Sequence, residues 1–190
     1  MKILLTYLIY HLIYSVLGWI YESIYCSIDQ KTIVNRGFFY GPYCPIYGCA
    51  AIVDIILLGK IKEPVLVFFL GMLISCVIEY STSYILETIF HRRWWDYSDK
   101  ILNLQGRICL LGAVTFGFFS LFLIKILHPL VVLITNHAIV FNSIYIIIFF
   151  LPLICIDGII TFFKHSHKHY SDLKIYKYCK KTILRIISLR

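Results

Sequence analysis

Four carboxylates and two arginines in this chain could do chemistry together. Glu22, Glu79, Glu87 and Asp96 are candidate acids and bases, and Arg36 and Arg107 could hold an oxyanion, a phosphate or the carboxylates themselves. Glu79, Ser83 and Glu87 recur every fourth residue, which places them on one face of a helix. A guanidinium can grip a carboxylate bidentately. The pattern predicts crossed pairs, Glu22 with Arg107 and Glu87 with Arg36. Such a set serves equally as a substrate site or as a structural lock, with Asn35 and Asn103 as polar companions. No metal box accompanies it. His165 and His169 are four residues apart, but the lysines around them argue against a bound cation, so neither metal nor cofactor is expected. No Ser or Cys nucleophile with a paired His stands out. The seven cysteines form no C-x-x-C motif and read as small hydrophobes rather than disulfide partners.

The elements that must position these groups are membrane spans. Of 190 residues, 60 % are hydrophobic and only 15 % charged, against roughly 25 % charged in soluble domains. The fold class is therefore an all-α membrane protein. Apolar runs predict about five crossings: Ile3–Cys26, Ile46–Gly59, Val65–Phe90, Ile108–Leu127 and Ala138–Phe163. The second is short and needs part of the preceding loop. His128-Pro129 is expected to interrupt the chain after the fourth. The first run lacks a small-x-small cleavage site and is expected to stay as a span. Glu79 lies about 21 Å along its helix from Val65, still inside the apolar slab. A carboxylate at that depth must face the bundle, carry a proton or find a partner. Asp157 and Asp54 fall inside spans as well.

Basic residues orient the chain. Lys2, Lys60, Lys62 and Lys125 fall on one side, and the remaining fourteen of the eighteen Lys and Arg on the other. This predicts an outer N-terminus and a cytoplasmic C-terminus in a plasma (inner) membrane. That asymmetry accounts for most of the +8 net charge, so no nucleic-acid partner is required. Residues 1–163 form the membrane domain. Residues 164–190 read as a basic amphipathic helix suited to anionic lipid.

Two long loops separate the spans. Asn35-Arg36-Gly37-Phe38-Phe39-Tyr40-Gly41-Pro42-Tyr43-Cys44-Pro45-Ile46-Tyr47-Gly48 cannot be a continuous helix, yet it is largely apolar. It reads as a re-entrant or interfacial loop, or as a wide turn rich in interfacial aromatics. Arg92-Arg93-Trp94-Trp95-Asp96-Tyr97-Ser98 reads as a membrane-surface turn in which Asp96 or Ser98 caps a short helix. The end of the first span, Gly18-Trp19-Ile20-Tyr21-Glu22-Ser23-Ile24-Tyr25, parallels Ser83-Tyr84-Ile85-Leu86-Glu87-Thr88-Ile89-Phe90 at the end of the third. Each is followed by Asn and Arg and then by a re-entering segment with an early glycine, Gly48 or Gly112. This suggests a parallel repeat of spans 1–2 and 3–4, against chance convergence of interfacial composition.

These motifs resemble the bacterial family labelled putative ABC-transporter type IV permeases. The matching pieces are Gly18-Trp19 with Glu22, Asn35–Gly48, Glu79-Tyr80 with Thr82-Ser83 and Glu87, Trp95-Asp96-Tyr97-Ser98, and Asn103 with Gly106-Arg107-Ile108. The resemblance implies a permease-like membrane protein and brings no established catalytic residues. The chain contains no G-x-x-x-x-G-K-[ST] phosphate loop, so transport would need a separate ATPase, and five spans suggest self-association or a partner permease. The alternatives are a membrane-embedded enzyme acting on a lipid or phosphate-bearing substrate at the inner leaflet, and a non-catalytic scaffold or sensor. The enzyme stands behind transport and ahead of the scaffold, and on balance the chain is expected not to be an enzyme.

Overall fold

The computed structural model describes residues 2–138 and 143–172, with side chains over 3–135 and 148–165. Among these the chain is helical throughout its long elements: α1 (Lys2–Gln30), α2 (Pro45–Leu58), α3 (Pro64–Phe90), α4 (Leu110–Phe122), a π-helical turn (Leu123–Leu127), α5 (His128–Ala138) and α6 (Ser143–Asp172). No named strand occurs among the described residues. Four helical stretches are long and apolar enough to cross a membrane: Ile3–Gln30, Pro64–Phe90, Leu110–Thr135 and Ile148–His165. The fifth apolar helix, α2, has only 14 residues and reaches about 21 Å. Large apolar side chains such as Leu73, Val77, Phe118 and Ile159 point outward along the spans, as lipid-facing residues do. The protein is a multi-pass membrane protein.

The His128-Pro129 interruption does not occur. Helix runs through it from Leu110 to Ala138, in one stretch interrupted only in its hydrogen-bond register. A proline ring clashes with the carbonyl four residues back, here that of Lys125, which lies in the π-helical turn. The wider turn displaces that carbonyl and lets the helix continue. The turn also carries Lys125 to the α2–α3 connection, where its Nζ donates to the carbonyls of Ile61 and Lys62 at 2.9 and 2.8 Å.

Helices α1 and α2 pack as an antiparallel hairpin, as do α3 and α4, and α2 joins the two by packing on α3. Close approach in the first hairpin depends on Gly48. A Cβ there would run into the Ser15 hydroxyl and the His11 backbone. One core cluster gathers Tyr10, Tyr14, Ala51, Leu123 and Val131, and a second Leu58, Val67 and Ile124. His128 closes the first, its Nδ1 lying 2.8 Å from the Tyr14 hydroxyl. Helix α6 packs more lightly, on α1 and α3. The basic tail beyond Asp172 lies outside the described residues, so the amphipathic-helix expectation is not tested there.

Candidate functional site

Both long loops lie at one end of the bundle, and they touch. Arg36 Nη2 donates to the Trp94 carbonyl at 3.2 Å. The Phe38 ring packs against Phe90 and Trp94, with centroids 5.3 and 5.2 Å apart, and the His165 ring of α6 joins them. The apolar character of the first loop is thus spent on packing against the second loop and α6.

Within each hairpin the charges pair locally. Glu22 on α1 receives the Tyr47 hydroxyl at 2.9 Å and lies 3.4 Å from Arg36 Nε. Asn35 Oδ1 accepts the Trp19 indole N–H at 2.8 Å, fastening the loop back to α1. In the second hairpin, Arg107 Nη2 lies 2.6 Å from Glu87 Oε2 and Arg93 Nε 2.9 Å from Glu87 Oε1. Arg93 also reaches Asp96 at 3.6 Å. The expected crossed pairs are therefore corrected: Arg36 serves Glu22, and Arg107 serves Glu87. The reason is reach. Each loop folds back onto the end of the helix that precedes it, which brings its own arginine within ion-pair distance before the neighbouring hairpin can compete.

Arg107 is the more deeply set of the two arginines, at 8 % exposure. The rings of Tyr80 and Tyr84 flank its guanidinium at 5.4 and 5.5 Å, a cation–π arrangement. Its carbonyl accepts the Trp95 indole N–H. Asn103 organises the loop around it, donating to the carbonyls of Ser98 and Lys100 and accepting the Gly106 N–H, all at 3.0 Å. Gly106 has φ +69°, and its would-be Cβ points into Asp96 and Ser98, so any side chain there is strained and obstructed. Asp96 does not cap a helix. It accepts both the Ser98 N–H and hydroxyl, an Asx turn, and these bonds, with Arg93, hold its carboxyl below the usual range. The hydrogen bond to Glu87 in turn raises Arg93.

Glu79 is buried on α3 at 5 % exposure, with Ser83 on the same buried face. Its Oε1 accepts the Tyr97 hydroxyl at 3.2 Å. Burial, and then the adjacent Glu79, push the Tyr97 phenol far above its ordinary range. The Tyr80 hydroxyl donates to Gln105 Oε1, which also receives Arg107 Nη1.

Several partners were not singled out from sequence. Asp157 of α6 accepts the N–H groups of Tyr40 and Gly41 and the hydroxyls of Tyr43 and Thr161 at 3.2, 2.9, 2.6 and 3.2 Å. It is the clasp on the first loop. Tyr47, Tyr97 and Arg93 lie in motifs read from the sequence, but their partners were not foreseen, because nothing sets them apart among the chain's 15 tyrosines and clustered arginines. One juxtaposition runs against expectation: Cys49 Sγ lies 3.6 Å from His11 Nε2 in the α1–α2 hairpin. No group of three metal-ligating side chains occurs among the described residues.

Spans, loop-closed end and buried carboxylates define a polytopic α-helical membrane protein with a charge-locked loop face. A family model described as "Putative ABC-transporter type IV" matches residues 9–162, and the chain belongs to that family. Comparison with curated proteins and with solved structures gave no match.

Proposed function

We propose that the protein is a permease-like transmembrane component of an ABC-type transporter in the plasma membrane, with the loop-bearing end in the cytoplasm and the N-terminus outside. Family membership supports the class. The observation that carries the reading further is the joined loop face. Arg36, Phe38 and Trp94 tie the two loops into one ordered surface beside α6, with Lys31, Arg92 and Lys100 exposed around it. A surface of that kind can take force from a docked subunit. The sequence contains no phosphate loop, and nucleotide hydrolysis is assigned to a separate ATPase. The tail would rest on anionic lipid beside it, and a second copy or a partner permease would complete the path.

The experiment is purification of the full chain from native membranes in mild detergent. An ATPase that co-purifies, and is lost when Arg92 and Lys100 are both replaced by Glu, supports the reading. Recovery of the chain without any nucleotide hydrolase, under conditions that keep other permease–ATPase pairs intact, overturns it. A non-catalytic scaffold is the second reading, favoured by the local ion pairs: Glu22, Glu87 and Asp96 are all engaged by arginines of their own hairpins. The same observation weighs against an enzyme, since three of the four carboxylates named for acid–base work are already paired.

A further inference from the structure

Helix α3 carries a buried polar row along the side it turns to the bundle. Gly71, Ser75, Glu79 and Ser83 recur every fourth residue and are all buried. Gly71 to Glu79 covers about 12 Å of the span. At the Gly71 end the row meets a second carboxylate. The Ser120 side chain of α4 packs directly on Gly71, and its hydroxyl faces Asp54 of α2. Asp54 is 2 % exposed and Glu79 5 %. Each keeps one oxygen, Asp54 Oδ1 and Glu79 Oε2, buried without a hydrogen-bond partner among the described residues.

Among the described residues, neither group has a counter-ion. Among the described residues the ion pairs engage Glu22, Glu87 and Asp96 only. The ionisable groups facing Glu79 are the Tyr97 phenol, the Glu22 carboxylate and the Cys76 thiol, with Cys109 beside Tyr97. None of them is a base that could neutralise it, and Glu22 adds like charge. Facing Asp54 is the Ser120 hydroxyl. A metal cation requires several oxygen ligands, and neither carboxylate has companions of that kind among the described residues. A proton requires one oxygen.

We propose that Glu79 within the buried row of α3 and Asp54 of α2, beside the Gly71 end of that row, are intramembrane proton-binding sites, and that Glu79 exchanges its proton with the loop-bearing end through Tyr97. The Tyr97 hydroxyl donates to Glu79 Oε1, and Tyr97 itself belongs to the second loop, where its N–H bonds the Gly106 carbonyl. On proton uptake, hydronium gives a proton to the phenol oxygen while the phenol's own proton passes to Glu79. Release reverses both transfers. Only O–H bonds break and form, and no electrons change hands. This inference does not depend on an ATPase partner, so it can fail or stand independently of the proposed function.

The test is infrared spectroscopy of the full chain reconstituted in bilayers of neutral phospholipid. At neutral pH the wild type should show a protonated-carboxyl stretch with two components, each moving to lower frequency in deuterium oxide. Asp54→Asn should remove one component and Glu79→Gln the other. Tyr97→Phe should keep both but slow the deuterium shift of the Glu79 component. Absence of the band from the wild type overturns the proposal, because both carboxylates would then be ionised with some other cation. So does a band that persists unchanged in both variants. A Tyr97→Phe protein that exchanges at the wild-type rate overturns the route. Should a variant fail to fold, the wild-type band and its isotope shift still decide whether the protons are there.

Discussion

Replacing Arg107 by Met tests the pairing most directly, since the thioether chain keeps much of the apolar stem between Tyr80 and Tyr84 while removing the charge. Stranding one member of a buried pair commonly costs about 3–5 kcal/mol. Here the loss is smaller, because the Glu87 side chain is 29 % exposed and retains Arg93 at 2.9 Å. About 2 kcal/mol is the expected destabilisation, between the buried and surface limits. A double-mutant cycle with Glu87→Gln should give a coupling of about 1–2 kcal/mol. The same cycle on Glu22 and Arg36, farther apart at 3.4 Å and both about one-third exposed, should give about 0.5 kcal/mol. Crossed cycles, Glu22 with Arg107 and Glu87 with Arg36, should be additive within about 0.5 kcal/mol. The assay is reversible unfolding of the purified variants in mixed micelles with increasing denaturing detergent. A crossed coupling as large as that of Glu87 with Arg107 would refute the assignment of each arginine to its own hairpin.

Asp157→Ala should free the first loop from α6, raising hydrogen exchange at the Tyr40 and Gly41 amides by a factor matching about 1–3 kcal/mol of lost charge-assisted bonding; unchanged protection there would show that the clasp is idle. Gly48→Val should force α1 from α2 and cost about 1–3 kcal/mol by overpacking, read as lost monodisperse protein on size exclusion. Single cysteines placed at exposed Lys31 and Lys100 should react with impermeant maleimide only from the cytoplasmic side, and labelling on intact cells would reverse the proposed orientation. The Asp96 turn should be pH-sensitive: its carboxyl is lowered in the folded loop, so its stabilisation is full above the ordinary aspartate range and lost as pH falls through the lowered value. Exchange at the Ser98 amide should rise over that acidic interval, and Asp96→Asn should abolish the dependence.

The spans were legible because a bilayer demands length and apolarity, both written directly in runs such as Val65–Phe90. The continuation through Pro129 was not, because nothing local announces a π-helical turn; it depends on Lys125 reaching the α2–α3 connection and on Leu123 joining the core of other helices. Glu22, Arg36, Glu87 and Arg107 were recognisable as ion-pair candidates, since charge near an apolar slab is costly. Their partners were not, because pairing depends on how tightly each loop returns. Asp157 shows the same limit. Its depth could be counted, but its role as acceptor for the Gly41 turn required α6 to be placed against a loop more than a hundred residues earlier.

Five of the ten carboxylates divide into two populations, and the division follows geometry more than sequence. Glu22, Glu87 and Asp96 stand at the loop face, each within reach of an arginine supplied by its own hairpin. Paired in that way they fix the loops and leave little net charge to desolvate. Asp54 and Glu79 stand deeper, where a guanidinium would itself have to be buried, and the structure gives them hydroxyls instead: Ser120 and Tyr97. A hydroxyl stabilises a carboxylate by one hydrogen bond but cannot cancel its charge. Stability alone would favour an amide or an apolar residue at both positions. A bundle that carries one such group on the polar row of α3 and another on α2 is therefore less stable than it could be at the place where a titrating group would be most useful. Buried groups that break the local rule without structural gain are where function is to be sought first.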